Sequence, residues 1–188
     1  MMLNRVVTAT ALAVGGYMLS KQMGKKGRMD ESSAVEETIE VNVPLRTAYN
    51  QWTQFEDFPS FMESVQEIRQ LDDRHLHWKA TVAGKPKEWD AEIVDQVPDR
   101  RIAWRSVGGV RNDGVVTFQR LSDNHTRISL KMSYEPEGPV EQLGDALGAV
   151  RMEARSNLQR FKDNIESRGT ETGAWRGEIK QPGAATQH

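Results

Sequence analysis

The chain has 188 residues, a formal net charge of −2 and no cysteine. That is room for one domain with tails; it excludes disulfides, thiolate metal sites and cysteine nucleophiles, and the near-neutral balance offers no electrostatic footprint for nucleic acid. The charge is unevenly placed: Arg5, Lys21, Lys25, Lys26 and Arg28 stand in residues 1–29 without an acid, which leaves 20 basic residues against 27 acidic ones, or −7, for the remainder.

The basic head contains Val6–Leu19, a charge-free run of 14 residues. As a helix it would measure roughly 21 Å, short of the ~20 apolar residues that a spanning helix needs. Three readings stay open: a marginal membrane anchor, a signal peptide, or a surface helix or disordered segment. The basic cluster directly after the run suits the cytoplasmic side of an anchor, and no good small-residue cleavage site follows it. The expected location is therefore the cytoplasmic face of a membrane, or the cytoplasm. Residues 30–34 ("DESSA") read as a linker, and the domain is expected to span 35–168.

"TIEVNV" alternates, with Ile39, Val41 and Val43 on one face, and predicts a strand. Pro44 ends it and opens a helix in which Ala48, Tyr49 and Trp52 share a face. A second short helix is expected from Phe55 to Glu63, broken or restarted at Pro59. Strands follow over 64–71, 75–83, 88–97, 101–107, 115–121 and 127–134, separated by "DDR", "AGKP", "PD", "GGVRNDG" and "SDNH". Their apolar residues alternate with charged ones: Leu76, Trp78, Ala80 and Val82; Trp89, Ala91 and Ile93; Ile102 and Trp104; Ile128, Leu130, Met132 and Tyr134. That is an antiparallel sheet with one dry face.

Residues 140–167 carry Leu143, Leu147, Val150, Ala154, Leu158, Phe161 and Ile165 at intervals of three or four, the stripe of an amphipathic helix about 42 Å long. A sheet with one dry face must cover it, and this helix is the obvious cover. Residues 169–188 show no periodicity and are expected to be disordered, with Trp175 resting on the domain. The expected fold class is α+β: a curved antiparallel sheet of six or seven strands around a long C-terminal helix, with two short helices after the first strand.

That order resembles the helix-grip fold of the START-like (SRPBCC) superfamily. "VNVPLRTAYNQWTQFEDFPSFMESV", "HWKATVAGKPKEWDAEIVDQVPDRRIAWRS" and "GVVTFQRL" are similar to the bacterial polyketide cyclase/dehydrase and coenzyme Q-binding-like branch. The resemblance covers about residues 35–166. It implies a cavity between sheet and long helix and a quinone or isoprenoid-like ligand; the residues themselves say only "apolar". Fold does not fix function. The expected function is binding, or carriage, of a hydrophobic small molecule or lipid, with membrane contact through residues 1–29. The alternatives are a cyclase/aromatase-type enzyme and a membrane-associated interaction protein without a ligand.

"WTQFEDFPSFM", residues 52–62, concentrates aromatics. Trp52 and Phe55 read as core, whereas Phe58, Phe61 and Met62 surround the proline break and border a cavity mouth. Trp78, Trp89 and Trp104 read as core packing or cavity wall; Met132 and Met152 are adaptable fillers, more often core. The candidate cavity set is Phe58, Phe61, Met62, Trp78, Trp89, Trp104, Phe118, Met132, Leu143 and Leu147. Glu88, Asp90 and Glu92 share the face opposite Trp89 and read as solvated; so do His75 and His77. Arg105 and Arg111 flank the glycine-rich turn and could meet an anionic group. No catalytic residue, metal-ligand spacing or phosphate loop is present, and no cofactor is expected.

Overall fold

The computed structural model describes residues 34–82, 84–134 and 143–180. The anchor expected within residues 1–29 lies outside them. Among the described residues no helix is long and apolar enough to cross a membrane.

Strand β1 (Ala34–Val41) leads through Pro44 into helix α1 (Leu45–Trp52) and then a 3-10 helix, Phe55–Ser60. Six strands follow: β2 (Val65–Gln70), β3 (His75–Val82), β4 (Lys85–Val97), β5 (Arg101–Gly109), β6 (Asn112–Ser122) and β7 (His125–Tyr134). Helix α2 (Leu143–Arg168) ends the regular structure. Pro44 has no N–H to leave unsatisfied, and its carbonyl accepts the first helical bond, from Ala48 N–H at 3.0 Å. The 3-10 helix closes where the Phe58 carbonyl accepts both Phe61 N–H (3.1 Å) and Met62 N–H (2.8 Å).

The sheet is antiparallel, seven-stranded and ordered β1-β7-β6-β5-β4-β3-β2. β1 pairs with β7 from Ala34↔Ser133 to Val41↔Thr126, which starts it four residues before the alternation of "TIEVNV" suggested. β1 and β2, neighbours in sequence, are thus the two opposite edges. The chain between them must cross one end of the sheet, and α1 with the 3-10 helix is that crossing. Register shifts between Asp90/Ala91 and Ile93/Asp95 on β4 mark bulges, which bend a strand and deepen its twist. The curled sheet presents its dry face to α2, whose Val150, Ala154, Leu158, Phe161 and Ile165 are all buried. Arg155 holds α2 to β1 through Glu37 (3.1 Å), and the Lys162 ammonium donates to the Glu40 carbonyl (2.7 Å).

The wet face carries cross-strand ion pairs. Lys79 lies between Glu67 (3.1 Å) and Glu88 (3.9 Å), His77 meets Asp90 (2.7 Å), and Arg105 reaches Glu92 (2.7 Å). Glu88, Asp90, Glu92 and His77 are therefore on the convex side. His75 is held by Asp72 at 2.8 Å, and Arg111 stands 3.6 Å from Asp113.

Residues 169–180 differ from the disorder expected of them. Gly169, at φ 73°, ends α2 by returning its N–H to the Ile165 carbonyl at 2.8 Å, a left-handed helix stop that glycine adopts freely. The chain then runs as a strap over the outer side of α1. Thr172 donates to Gln51 (2.9 Å from its backbone N–H) and to Asp57. Trp175 donates its backbone N–H to the Thr53 hydroxyl at 3.0 Å. Arg176 pairs with Asp99 (2.6 Å), donates to Asn50 (2.7 Å) and lies 5.6 Å above the Tyr49 ring. Ile179 is 3 % exposed and exchanges both backbone hydrogen bonds with Gln96 (2.8 and 2.9 Å). Apart from the apolar contacts of Ile179 and Trp175, these are specific polar pairings, so hydrophobic periodicity carries no trace of them. Residues 181–188 lie outside the described residues.

Candidate ligand cavity

Between the concave face and α2 lies a cavity of about 140 Å³, close to the ~150 Å³ of an engineered apolar cavity that stays dry and takes up benzene. Its floor is the crossing segment: Trp52, Phe55, Phe58 and Met62. Leu76, Trp78, Ala80, Trp89, Ile93, Ile102, Trp104, Leu130 and Met132 form the sheet wall, and Val150, Glu153, Ala154, Asn157 and Leu158 of α2 form the roof. The lining is mostly apolar, as ligand pockets are.

Register explains the tryptophan wall. Trp78 and Trp89 are direct partners across β3 and β4, on the dry face, and their rings stack 5.7 Å apart with planes 10° from parallel. Trp78 also meets Phe58 edge-on, at 6.2 Å and 66°, so wall and floor share one aromatic seam. Trp104 pairs with Gly114 across β5 and β6, and a Cβ at position 114 would collide with the Trp104 ring and the Lys131 carbonyl. Glycine is what lets the indole lie close on the sheet. The Trp104 Nε1–H is directed at Asn112 Oδ1, 3.4 Å away.

Polar residues also contribute to the lining. Ser64 precedes β2, Thr81 lies on β3, and Glu153 and Asn157 stand one turn apart on α2. The Thr81 N–H donates to the Ser64 carbonyl (2.6 Å), and the Asn157 amide donates to the Ser64 hydroxyl (3.0 Å). Arg160 meets Glu63 at 2.7 Å just beyond. The pairs Asn157–Ser64 and Arg160–Glu63 tie α2 to the segment that leads into the edge strand β2.

The structure brings Phe58, Met62, Trp78, Trp89, Trp104 and Met132 together around the cavity. Three other candidates lie elsewhere. Phe61 packs on Phe58 (5.7 Å) and Phe161 (6.0 Å) and is not in the lining. Phe118 meets Tyr49 (5.5 Å) and Trp52 (6.1 Å) within the core. Leu147 is half-buried at the start of α2, outside the lining. The Leu143 side chain lies outside the described residues. Met152, read as core or lining, is 74 % exposed on the outer side of α2. Trp52 and Phe55, read as pure core, are both core and floor, so the expected division of "WTQFEDFPSFM" into a core half and a mouth half does not describe it. The sequence reading also passed over Glu153 and Asn157. Their spacing of four put them on one face of the predicted helix, but one flank of the apolar stripe cannot be told from the other without the sheet.

A seven-stranded sheet curled around one long helix, with an apolar cavity between them, defines a START-like helix-grip domain. The family described as polyketide cyclase / dehydrase and lipid transport matches residues 41–163, and the chain belongs to that family. The chain is 53 % identical over 148 residues to an uncharacterised 17.2 kDa protein of the melC2-rnhH intergenic region of Streptomyces lincolnensis, covering 78 % of this chain and 99 % of that protein. Among solved structures it is similar to the Zhui aromatase/cyclase from Streptomyces sp. R1128 (TM-score 0.62, 16 % identity, 76 % of this chain and 98 % of that one). It is also similar to a START superfamily protein from Mycobacterium smegmatis (TM-score 0.58, 15 % identity, 72 % and 95 %). At these identities the likeness is one of fold.

Proposed function

We propose that the protein binds, and carries, a hydrophobic small molecule in the cavity between sheet and α2. The observation that supports this reading is the cavity itself: about 140 Å³ in a position where Trp52, Trp78, Trp89 and Trp104 converge. Native interiors close-pack, and an apolar void of this size lowers stability unless something fills it. A ring-bearing molecule suits walls built from indoles, and the ring of a quinone or isoprenoid-like lipid is of the right scale; a tail would have to leave between α2 and the segment leading into β2 or require the floor to move. The basic, apolar head of residues 1–29 would bring the domain to an anionic membrane surface, where such molecules reside.

Native mass spectrometry of the full chain purified from its own host tests the reading. A bound mass that a competing hydrophobic compound displaces is the expected result. Protein that is empty from its host and takes up no added hydrophobic compound would overturn it.

A second reading, an enzyme of the cyclase or aromatase type, draws on one observation: Glu153, a titratable group, is part of the cavity lining. A carboxylate there has the reach of a general base toward a bound molecule. Turnover of a ring-forming substrate that Glu153→Gln abolishes, with binding retained, is what would favour this reading over simple carriage.

A further inference from the structure

The floor of the cavity is docked to the sheet rather than laddered into it. No strand lies between Val41 and Val65, so α1 and the 3-10 helix are held to the domain by side chains. One side of this crossing is apolar: Trp52, Phe55, Phe58 and Met62 line the cavity and are at most 6 % exposed, so the floor is shut. The other side is polar. Asn50, Gln51 and Thr53 are each buried, and the strap of residues 169–180 bonds all three. Glu171 accepts from the Asn50 amide (2.7 Å), the Thr172 N–H donates to Gln51 (2.9 Å), and the Trp175 N–H donates to the Thr53 hydroxyl (3.0 Å). The same strap is anchored to the sheet. The Trp175 indole N–H donates to Asp73 in the β2–β3 turn (3.1 Å), Arg176 pairs with Asp99 in the β4–β5 turn, and Ile179 bridges to Gln96 of β4. The strap therefore ties the crossing to two turns at one end of the sheet.

We propose that the strap is a latch on the cavity floor: its release lets α1 and the 3-10 helix swing away from the sheet, and a ring-sized apolar ligand enters and leaves by that route. The inference rests on the reading of the cavity as a ligand site and adds the path to it. Two properties suit the strap to opening. Its hold on the crossing is polar, so the groups it uncovers exchange their partners for water at small net cost; an apolar cover would expose carbon instead. Its start is Gly169 at φ 73°, a terminal position of α2 at which the chain can turn without disturbing the helix. A segment held by a few individual contacts belongs to the part of a fold that opens locally, below the cost of global unfolding. The latch is closed over an empty and a filled cavity alike, because none of its contacts is to the cavity lining's inner side. It sets how fast a ligand exchanges and not how tightly it is held.

The test is fluorine NMR exchange of 4-fluorotoluene with the full-length protein, which gives association rate, dissociation rate and Kd together. Ile179→Ala is expected to raise both rates about tenfold, the equivalent of ~1.4 kcal/mol of latch, with Kd changed by no more than about twofold. Arg176→Ala, the milder variant, is expected to move both rates in the same direction by less, and carries the test if Ile179→Ala does not fold. Val35→Ala is the control: Val35 is buried at the start of β1, at the opposite end of the sheet from the strap, and its rates are expected to match wild type. Probe binding with rates that the strap variants leave unchanged overturns the latch, places entry elsewhere and leaves the cavity reading standing. A weakened Kd with an unchanged association rate overturns it too, since the strap would then shape the site rather than gate it. So does equal acceleration by Val35→Ala, which would mean that exchange runs through general loosening of the domain. No binding of the probe to wild type overturns both the latch and the cavity reading.

Discussion

The rings of Trp78 and Trp89 stack across the β3–β4 ladder, 5.7 Å apart with planes 10° from parallel, yet the two are buried differently. Trp89 is 5 % exposed, whereas Trp78 is half-buried and continues the cavity wall toward Phe58. Trp89→Ala should therefore cost about 3 to 5 kcal/mol, the usual range for a buried large aromatic. Trp78→Ala should cost less and weaken uptake of a hydrophobic probe more. Chemical denaturation and probe titration of both variants check this, and equal stability losses with unchanged uptake would make Trp78 ordinary core.

Gly114→Ala tests the close approach under Trp104. The new methyl meets the indole and the Lys131 carbonyl, so the ring must lift into the cavity or the strands must part. Overpacking of this kind costs about 1 to 3 kcal/mol. The expected outcome is a lowered melting temperature together with a shifted tryptophan emission; an unchanged melting temperature and emission would mean that the ring does not lie against position 114.

The strap of residues 169–180 should be worth measurable stability. Ile179 is buried against β4 with both backbone hydrogen bonds to Gln96 made, and its replacement by Ala should cost about 2 kcal/mol, the low end for a core site. Arg176→Ala removes the pairing with Asp99, which is 32 % exposed in its side chain, and should cost only about 1 kcal/mol. Amide exchange of Gln96 reports on the strap directly: fast exchange already in wild type would mean the strap is not closed in solution.

Acid should loosen the same strap. Burial pushes the Glu171 carboxyl up, but hydrogen bonds from Asn50, its own backbone N–H and Thr47, together with the Arg46 charge, outweigh it and hold its pKa below the ordinary value. The sign follows: a depressed carboxyl pKa contributes stability that is fully present above the unfolded-state value of about 4.3 and is lost as pH falls through the folded value. Glu171→Gln should thus melt below wild type at neutral pH and converge with it on acidification. A gap that stays constant across that range would mean the shift is absent.

The two sides of α2 should respond oppositely to charge. Leu158 is 2 % exposed against the sheet and Met152 is 74 % exposed. Leu158→Asp should cost several kcal/mol, because it sets an unpaired charge in the core, while Met152→Asp should stay within about 0.5 kcal/mol. Thermal melts of the two single variants decide it.

By itself the sequence determined the strand meander, the amphipathic stripe of α2, and the dry face of Leu76, Trp78, Trp89, Ile93 and Ile128. Period-2 and period-3.6 patterns record which side of an element avoids water. It also determined that Glu88, Asp90 and Glu92 face outward, because they alternate with Trp89 and Ile93. What only tertiary structure decided is where those elements meet. That β1 and β2 are opposite edges, making Trp52 and Phe55 the floor of a cavity, follows from pairing over some ninety residues, such as Ile39 with Ile128. Local periodicity does not encode such pairing. Phe61 and Phe118 have the same apolar character as Phe58, but Phe61 packs against the core beside Phe161 and Phe118 lies within it, both outside the lining. Glu153 reads as one more charged flank of a helix until the cavity forms beside it. The strap is held by buried Ile179 and by individual polar pairings, Arg176 with Asp99 and Thr172 with Gln51, whose partners lie 77 and 121 positions away. Conformational entropy leaves such a segment without structure of its own, and only the folded domain supplies the groups that order it.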